Sequence, residues 1–434
     1  MVVLFLIAIT LPIVVHAGPL RLSPYRLLLL ASVLPCVVLW LRGSAGKIRV
    51  ADIALLLMCL WTILSYAVIH GPARAFEGGG IFGLETMGAY LFGRILIRSA
   101  DDFRKFVAVL FWIVVALLPL AVLEATSGHA IILETFRKVF ASYQILNQDP
   151  RWGLRRVVGP FEHPILFGVF CSSIVGMVYY VTGYGRSFLR RFVQVALVSA
   201  TAFLSLSSGP LTSMAAQLAL ISWDLVLRRV KLRWKILAAL LFSAVVVIEI
   251  VANRSAAQIL IAFVAFNPST AYNRLRIWQF GSASVWDHPW LGVGLNDWER
   301  PTWMLPSIDM FWLVPAVRNG LPVGLFLQLA FFSALVPIIF KKGLDDRSSS
   351  YRTGYIVSML GLYLSGWTVH YWNSVYILLM FLLGAGSWLL DFKPEIPRLA
   401  GDPEEKPGRQ LPGRRQAGGG RSEDPRLRRR RVPL

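Results

Sequence analysis

Phe106-Val-Ala-Val-Leu-Phe-Trp-Ile-Val-Val-Ala-Leu-Leu-Pro-Leu-Ala-Val-Leu123 runs for 18 residues without a charge. As a helix rising about 1.5 Å per residue it reaches about 27 Å, close to the roughly 30 Å of a bilayer's hydrocarbon core. The run is continuously apolar and does not alternate, which argues against a barrel strand. Similar runs recur from one end of the chain to the other. Crossings are expected at roughly 1–17, 25–41, 51–69, 81–98, 104–123, 163–182, 189–207, 210–227, 234–252, 311–340, 354–369 and 372–390, about twelve in all.

Composition agrees. The 434 residues are 56% hydrophobic and 16% charged, with mean hydropathy +0.59; soluble domains carry about 25% charged residues. The expected architecture is an all-α, polytopic integral membrane protein. One membrane domain covers 1–392, and a disordered basic tail covers 393–434, too rich in Pro, Gly, Glu and Arg to bury a core. The N-terminus lacks a basic n-region and a small-residue cleavage site, so residues 1–17 read as a retained first helix. Two interruptions stand out. Ser207-Ser-Gly-Pro210 is either a tight hairpin or a kink, and Pro315, Gly320, Pro322 and Gly324 predict a broken or tilted helix within 311–340.

The formal charge of +20 does not signal nucleic-acid binding. Arg42, Lys47 and Arg49, then Arg98, Arg104 and Lys105, then three further clusters up to Arg352, occupy alternate short loops. These loops hold 18 basic residues; the intervening short loops hold three, Arg21, Arg26 and Arg74. That asymmetry is topological, and it predicts that the 18 and both termini are cytoplasmic. The loops 124–162 and 253–310 then lie outside. They nevertheless carry Arg151, Arg155, Arg156, Arg274, Arg276 and Arg300, against the positive-inside preference. Longer loops can escape that rule, or an anionic partner can retain the cations.

Cys36, Cys59 and Cys171 are isolated within apolar runs, which predicts neither a disulfide nor a metal site. No Asp/His cluster has ligand spacing, and P-loop, GxSxG and DxD-like patterns are missing. No cofactor is implied.

Four stretches could carry chemistry. Arg155-Arg-Val-Val-Gly-Pro-Phe-Glu-His-Pro164 places two phosphate-matching guanidiniums beside Glu162, where a helix begins; the same arginines could simply anchor a helix end at lipid phosphates. In Tyr272-Asn-Arg-Leu-Arg-Ile-Trp278, a helix would set Arg274 and Trp278 on one face, cation beside indole, as suits a sugar phosphate. Trp278, Trp286 and Trp290 could instead belong to an interfacial belt. His288-Pro-Trp-Leu-Gly-Val-Gly294 could offer backbone N–H groups to an anion, although a histidine before proline is commonly structural. Asp309, ahead of Arg318-Asn-Gly-Leu-Pro322, is either a base with a raised pKa or a helix cap.

The order of these motifs, Arg-x-x-Gly before a helix, Arg-x-x-x-Trp, then His-Pro-Trp-Leu-Gly-Val-Gly, resembles the O-antigen ligase and Wzy-type polymerase superfamily over roughly residues 150–330. The resemblance implies a metal-independent membrane glycosyltransferase of the bacterial inner membrane. Its substrates would be undecaprenyl-diphosphate-linked glycans at the periplasmic face. Arg156 and Arg274 match the arginines thought to hold the diphosphate, with Arg155, Arg276, Trp278, His288 and Trp290 as further substrate-binding candidates. Where ligases of the family open a helix with His-Asn, Asp309 and Met310 stand here, and Ser208-Gly-Pro210 lacks an arginine common in relatives. This is closer to the exopolysaccharide-polymerase branch. It leaves Asp309 and Glu162 as candidate bases, with lipid A-core ligation or lipid-linked oligosaccharide transport as alternatives. Membrane lipids, a chain-length regulator and a flippase would be the partners.

Overall fold

The computed structural model describes residues 1–18, 20–146, 148–253, 255, 258–259 and 268–393. Beyond Lys393, the expected basic tail lies outside the described residues, as does Arg254. Within them, seven helices are long and apolar enough to cross a membrane: Pro24–Leu41, Val50–His70, Ala100–Ser127, Pro164–Thr182, Arg233–Val251, Leu321–Ile339 and Asn373–Asp391. The other expected crossings fall short for identifiable reasons. Phe188–Phe203 has 16 residues. Ser208–Val226 and Asp346–Gly366 are diluted by Ser, Thr, Gly and Asp. The glycine-rich stretch 72–96 is interrupted by π-helical turns at Ala75–Gly79 and Leu84–Gly88.

The expected crossing at 1–17 is corrected. Its helix, Val2–Thr10, has 9 residues, about 13 Å and roughly half a hydrocarbon core. Pro12 explains the stop: it has no N–H to give and pushes Leu11 out of the helical region, to φ −84° and ψ 115°. The chain then forms an antiparallel ribbon, Val15–Ala17 paired with Leu20–Leu22.

Cross-chain hydrogen bonds sort the connections into two opposite ends. At one end Arg98 reaches the Ser44 carbonyl, Arg49 pairs with Asp391, Arg347 with Asp101, and Lys341 Nζ donates to the Leu390 carbonyl. At the other, Val14 N–H donates to Ala141, Arg26 to Asn373, Trp61 to the Trp290 carbonyl and Phe311 N–H to Val369. The short basic loops thus share one end, and the two long loops share the other.

Pro164–Thr182 and Asn373–Asp391 form the axis, each 89% buried, whereas Arg233–Val251 is 0% buried and lies wholly on the outside. Small residues allow the axis to close. A Cβ on Gly93 would sit 2.2 Å from the Phe381 carbonyl oxygen, and one on Gly384 2.0 Å from that of Tyr90. This is the close backbone approach that drives association where lipid removes the hydrophobic advantage.

Arg94 and Asp52 form a fully buried ion pair near the basic end. Arg94 also donates to the Ala45 and Lys47 carbonyls, both at 2.8 Å, and Asp52 accepts from Tyr90 at 2.5 Å, Trp40 at 3.2 Å and the Arg49 N–H at 2.8 Å. Pairing of this completeness is what makes two charges tolerable at such depth.

Candidate functional site

The break at Ser207 is a reversal, not a kink. Leu206 is left-handed at φ +47°, and Phe188–Phe203 returns antiparallel to both Pro164–Thr182 and Ser208–Val226. The ends of the three helices near Pro164, Phe203 and Ser208 therefore meet. Arg151-Trp-Gly-Leu154 folds over them as a tight turn, with Trp152 at φ +52° and Gly153 at φ +75°, and Arg151 bridged to Leu154. Arg151 Nη1 donates to the Leu206 carbonyl at 2.6 Å.

Arg156 and Arg274 end on adjacent serines. Arg156 Nη2 donates to Ser207 Oγ at 2.8 Å, and Arg274 Nη2 donates to Ser208 Oγ at 2.9 Å. Arg274 reaches inward from the helix Pro268–Asp287 and is 5% exposed. Arg156 Nη1 donates to Gln148 Oε1 at 2.7 Å, and the Gln148 amide nitrogen lies 3.1 Å from His163 Nε2. Among the described residues no carboxylate oxygen comes within 4 Å of Arg151, Arg156 or Arg274. Arg274 Nη1 and Arg156 Nε are buried without a partner. The first turn of Ser208–Val226 has no side-chain cap, so its positive end adds to the field at the two serines.

The electrostatics report the same crowding. Burial lowers both Arg156 and Arg274 to about 10; Arg151 adds to the fall in each, while Asp149 opposes it in Arg156 and Asp309 opposes it in Arg274 more strongly than Arg151 aids it, so both remain cationic at neutral pH. Burial, then Arg156, pushes His163 down to about 4. Burial raises the Asp309 carboxyl above its usual range, and Arg274 opposes the rise. Asp309 does not cap a helix, since the following one, Val314–Asn319, has Leu313 at its N-cap. It lines a cavity of about 410 Å³ with His163, Ser307, Arg318, His370 and Trp372.

Glu162 faces elsewhere. Its carboxylate accepts from Arg21 at 3.1 Å and from Trp372 Nε1 and Asn373 Nδ2, both at 2.8 Å. Arg155 turns to the Gly128 carbonyl and Glu124. Arg276 lies over the Tyr272 and Trp303 rings at 3.7 and 4.2 Å. Trp278 shares the inward face with Arg274 but packs edge-on against Trp367 at 5.9 Å. His288 is half exposed beside Glu299, and the Trp290 ring is 70% exposed.

The glycine-rich turn is a mount. Val293 N–H donates to Val317 O at 3.0 Å, Gly294 N–H to Arg318 O at 2.7 Å, and Leu321 N–H to Pro289 O at 2.8 Å. Its amides hold the break at Gly320 and are not free to meet an anion. A Cβ at Gly292 would strike the Arg318 backbone at 2.5 Å, and Gly320 has φ +88°.

Comparison with known families identifies one segment. Residues 193–321 match the family model for O-antigen ligase. Over these residues the chain is similar to that family. The match supports the superfamily resemblance and a ligase- or polymerase-type activity on lipid-linked glycan. No curated protein matches the chain. The matched segment contains Ser207, Ser208, Arg274 and Asp309. Arg151, Arg156, His163 and the 367–373 loop come from outside it. Arg151 and Gln148 are partners of the arginine pair that no local pattern singles out: one depends on a turn, the other on a contact eight residues along the chain.

Proposed function

We propose that the protein polymerises undecaprenyl-diphosphate-linked oligosaccharide units at the periplasmic face of the bacterial inner membrane. The observation that carries this reading is the trio Arg151, Arg156 and Arg274, gathered at one end of the bundle, with an unpartnered nitrogen on Arg156 and on Arg274 and, among the described residues, no carboxylate within 4 Å. Buried like charges of this kind are relieved by an anion, and a guanidinium fork fits phosphate oxygens.

In this mechanism Arg156 and Arg274 hold the diphosphate and Arg151 adds to the field. An acceptor sugar hydroxyl attacks the anomeric carbon of the donor. The bond from that carbon to the diphosphate oxygen breaks, and the lipid diphosphate leaves with the electron pair. The hydroxyl proton passes to Asp309, whose raised pKa suits a base. The arginines stabilise the charge gathering on the leaving group. Single displacement inverts the anomeric configuration. Asp309 is favoured over Glu162 because three donors already occupy the Glu162 carboxylate.

The test is reconstitution in lipid vesicles with lipid-linked repeats alone. Growth of a ladder supports polymerisation. Product only after addition of lipid A-core assigns ligation instead, the reading favoured by the matched family's description. Movement of the substrate across the bilayer without any linkage rules out both.

A further inference from the structure

The segment Val369-His-Tyr-Trp-Asn373 takes no part in the mechanism above, yet side-chain hydrogen bonds from two other segments hold it at the end of the bundle that carries the arginines. Asn373 is a non-glycine residue at φ +49°. Asparagine is among the few non-glycine residues that enter this region, and its side chain is held there by its neighbours. Here Arg26 donates to its Oδ1 at 3.2 Å, while its Nδ2 donates to Glu162 at 2.8 Å. Glu162 also takes the Trp372 indole N–H. The loop is thereby fixed with the His370 ring between two aromatics, 5.8 Å from Trp372 and 6.3 Å from Phe311, near parallel to both.

His370 lines two cavities at once. One is the 410 Å³ cavity that contains Asp309; the other, about 220 Å³, is walled by Phe311, Tyr376, Asn319 and Glu85. Val314, Arg318, His370 and Trp372 are common to both, so the two adjoin. Their lining of aromatic faces and a few fixed polar groups is the pattern of a small-molecule site, and a sugar offers both an apolar face and hydroxyl edges to it. His370 Nδ1 is buried without a partner. Burial, then Arg318, lowers His370 to about 4, so at neutral pH the ring has one N–H to give and one lone pair to receive.

We infer that these joined cavities bind the terminal sugar of the acceptor glycan, with His370 hydrogen-bonding one of its hydroxyls and Glu162 positioning the loop that carries His370 and Trp372. This rests on the polymerase reading and adds an acceptor site beside the proposed base. Asp309 lines the larger cavity and feels the charge of Arg274, so a hydroxyl held there lies next to the group that takes its proton.

The probe is the free oligosaccharide repeat, released by mild acid from the organism's own lipid-linked pool; lacking diphosphate, it can only accept. In vesicles, His370→Ala raises the KM for this acceptor about tenfold, the scale of one lost hydrogen bond, and leaves the Kd for undecaprenyl diphosphate within twofold. Arg274→Ala does the reverse. His370→Gln, which keeps a donor and an acceptor, recovers part of the affinity. Should His370→Ala prove too unstable to assay, Glu162→Gln and Trp372→Phe take its place and show the same one-sided rise. Wild-type protein that makes polymer but binds no free repeat overturns the acceptor site and spares the polymerase reading. An equal loss of undecaprenyl diphosphate binding in the His370 variants overturns it as well. Wild-type protein that binds the repeat yet forms no linkage overturns the polymerase reading alone.

Discussion

At the scale of single residues, the arrangement turns on cations that, among the described residues, make no ion pair within 4 Å. Arg274 is 5% exposed and uses one terminal nitrogen on Ser208, leaving the other unpartnered. Arg274→Ala and Arg156→Ala are each expected to lower polymer synthesis by at least about a hundredfold, the scale of losing a charge-stabilising donor, with membrane insertion unchanged on a blot. Normal polymer length in both variants would remove the diphosphate role. Asp309 predicts the pH profile. Its carboxyl is raised by burial, and only the deprotonated form accepts a proton. The rate should therefore fall as pH drops through a value above the ordinary carboxylate range near 4. A rate level down to pH 4, or an Asp309→Asn variant with full turnover, contradicts the base. These residues were legible in sequence because arginines in outer loops oppose the topological rule. Their partners were not, since Ser207 and Gln148 are ordinary polar residues until the chain folds.

At the scale of elements, two breaks build the site. The reversal at Leu206 brings the N-terminus of Ser208–Val226 beside the Arg151 turn, and the break at Gly320 is pinned by the His288–Gly294 segment. Proline and glycine punctuation announced both breaks. It left the hairpin and the kink equally open at Ser207, because only the packing of Phe188–Phe203 against its neighbours selects reversal. The role of the glycine-rich turn also depends on tertiary contact: its amides are occupied by the Val317 and Arg318 carbonyls. Gly320→Val puts a branched side chain at φ +88°, with the Trp290 carbonyl oxygen 2.1 Å from the new Cβ. It should cost at least about 1–3 kcal/mol, seen as a lower melting temperature in detergent, and should reduce activity without touching substrate. An unchanged melting curve would show that the mount is dispensable.

At the scale of the whole molecule, the basic loops gather at one end and the arginine site at the other. In a strain permeable to the reagent at its outer membrane, Trp303→Cys should react with an impermeant thiol probe in intact cells, and Lys105→Cys only after lysis. Equal labelling of the two would undo the assignment of sides; the native cysteines Cys36, Cys59 and Cys171 are buried and give little background. The buried Asp52–Arg94 pair makes a second global prediction. Asp52→Asn leaves Arg94 uncompensated and should destabilise the fold by about 3–5 kcal/mol, whereas replacing both residues with apolar ones costs less; thermal melts of the two variants compare them.

Apolar run length, loop charge asymmetry and the order of short motifs suffice to specify a helical membrane protein, an expected outer side and two arginines worth testing, because lipid solvation and the positive-inside preference act on local sequence. They overstate the first crossing, where Pro12 ends the helix after 9 residues. The convergence of Arg151, Arg156 and Arg274 on one helix end, the diversion of Glu162 to the 372–373 loop and the lodging of His370 between two cavities arise from contacts between segments 51 to 210 residues apart. Local periodicity holds no record of such contacts, since helix packing alone determines which faces meet.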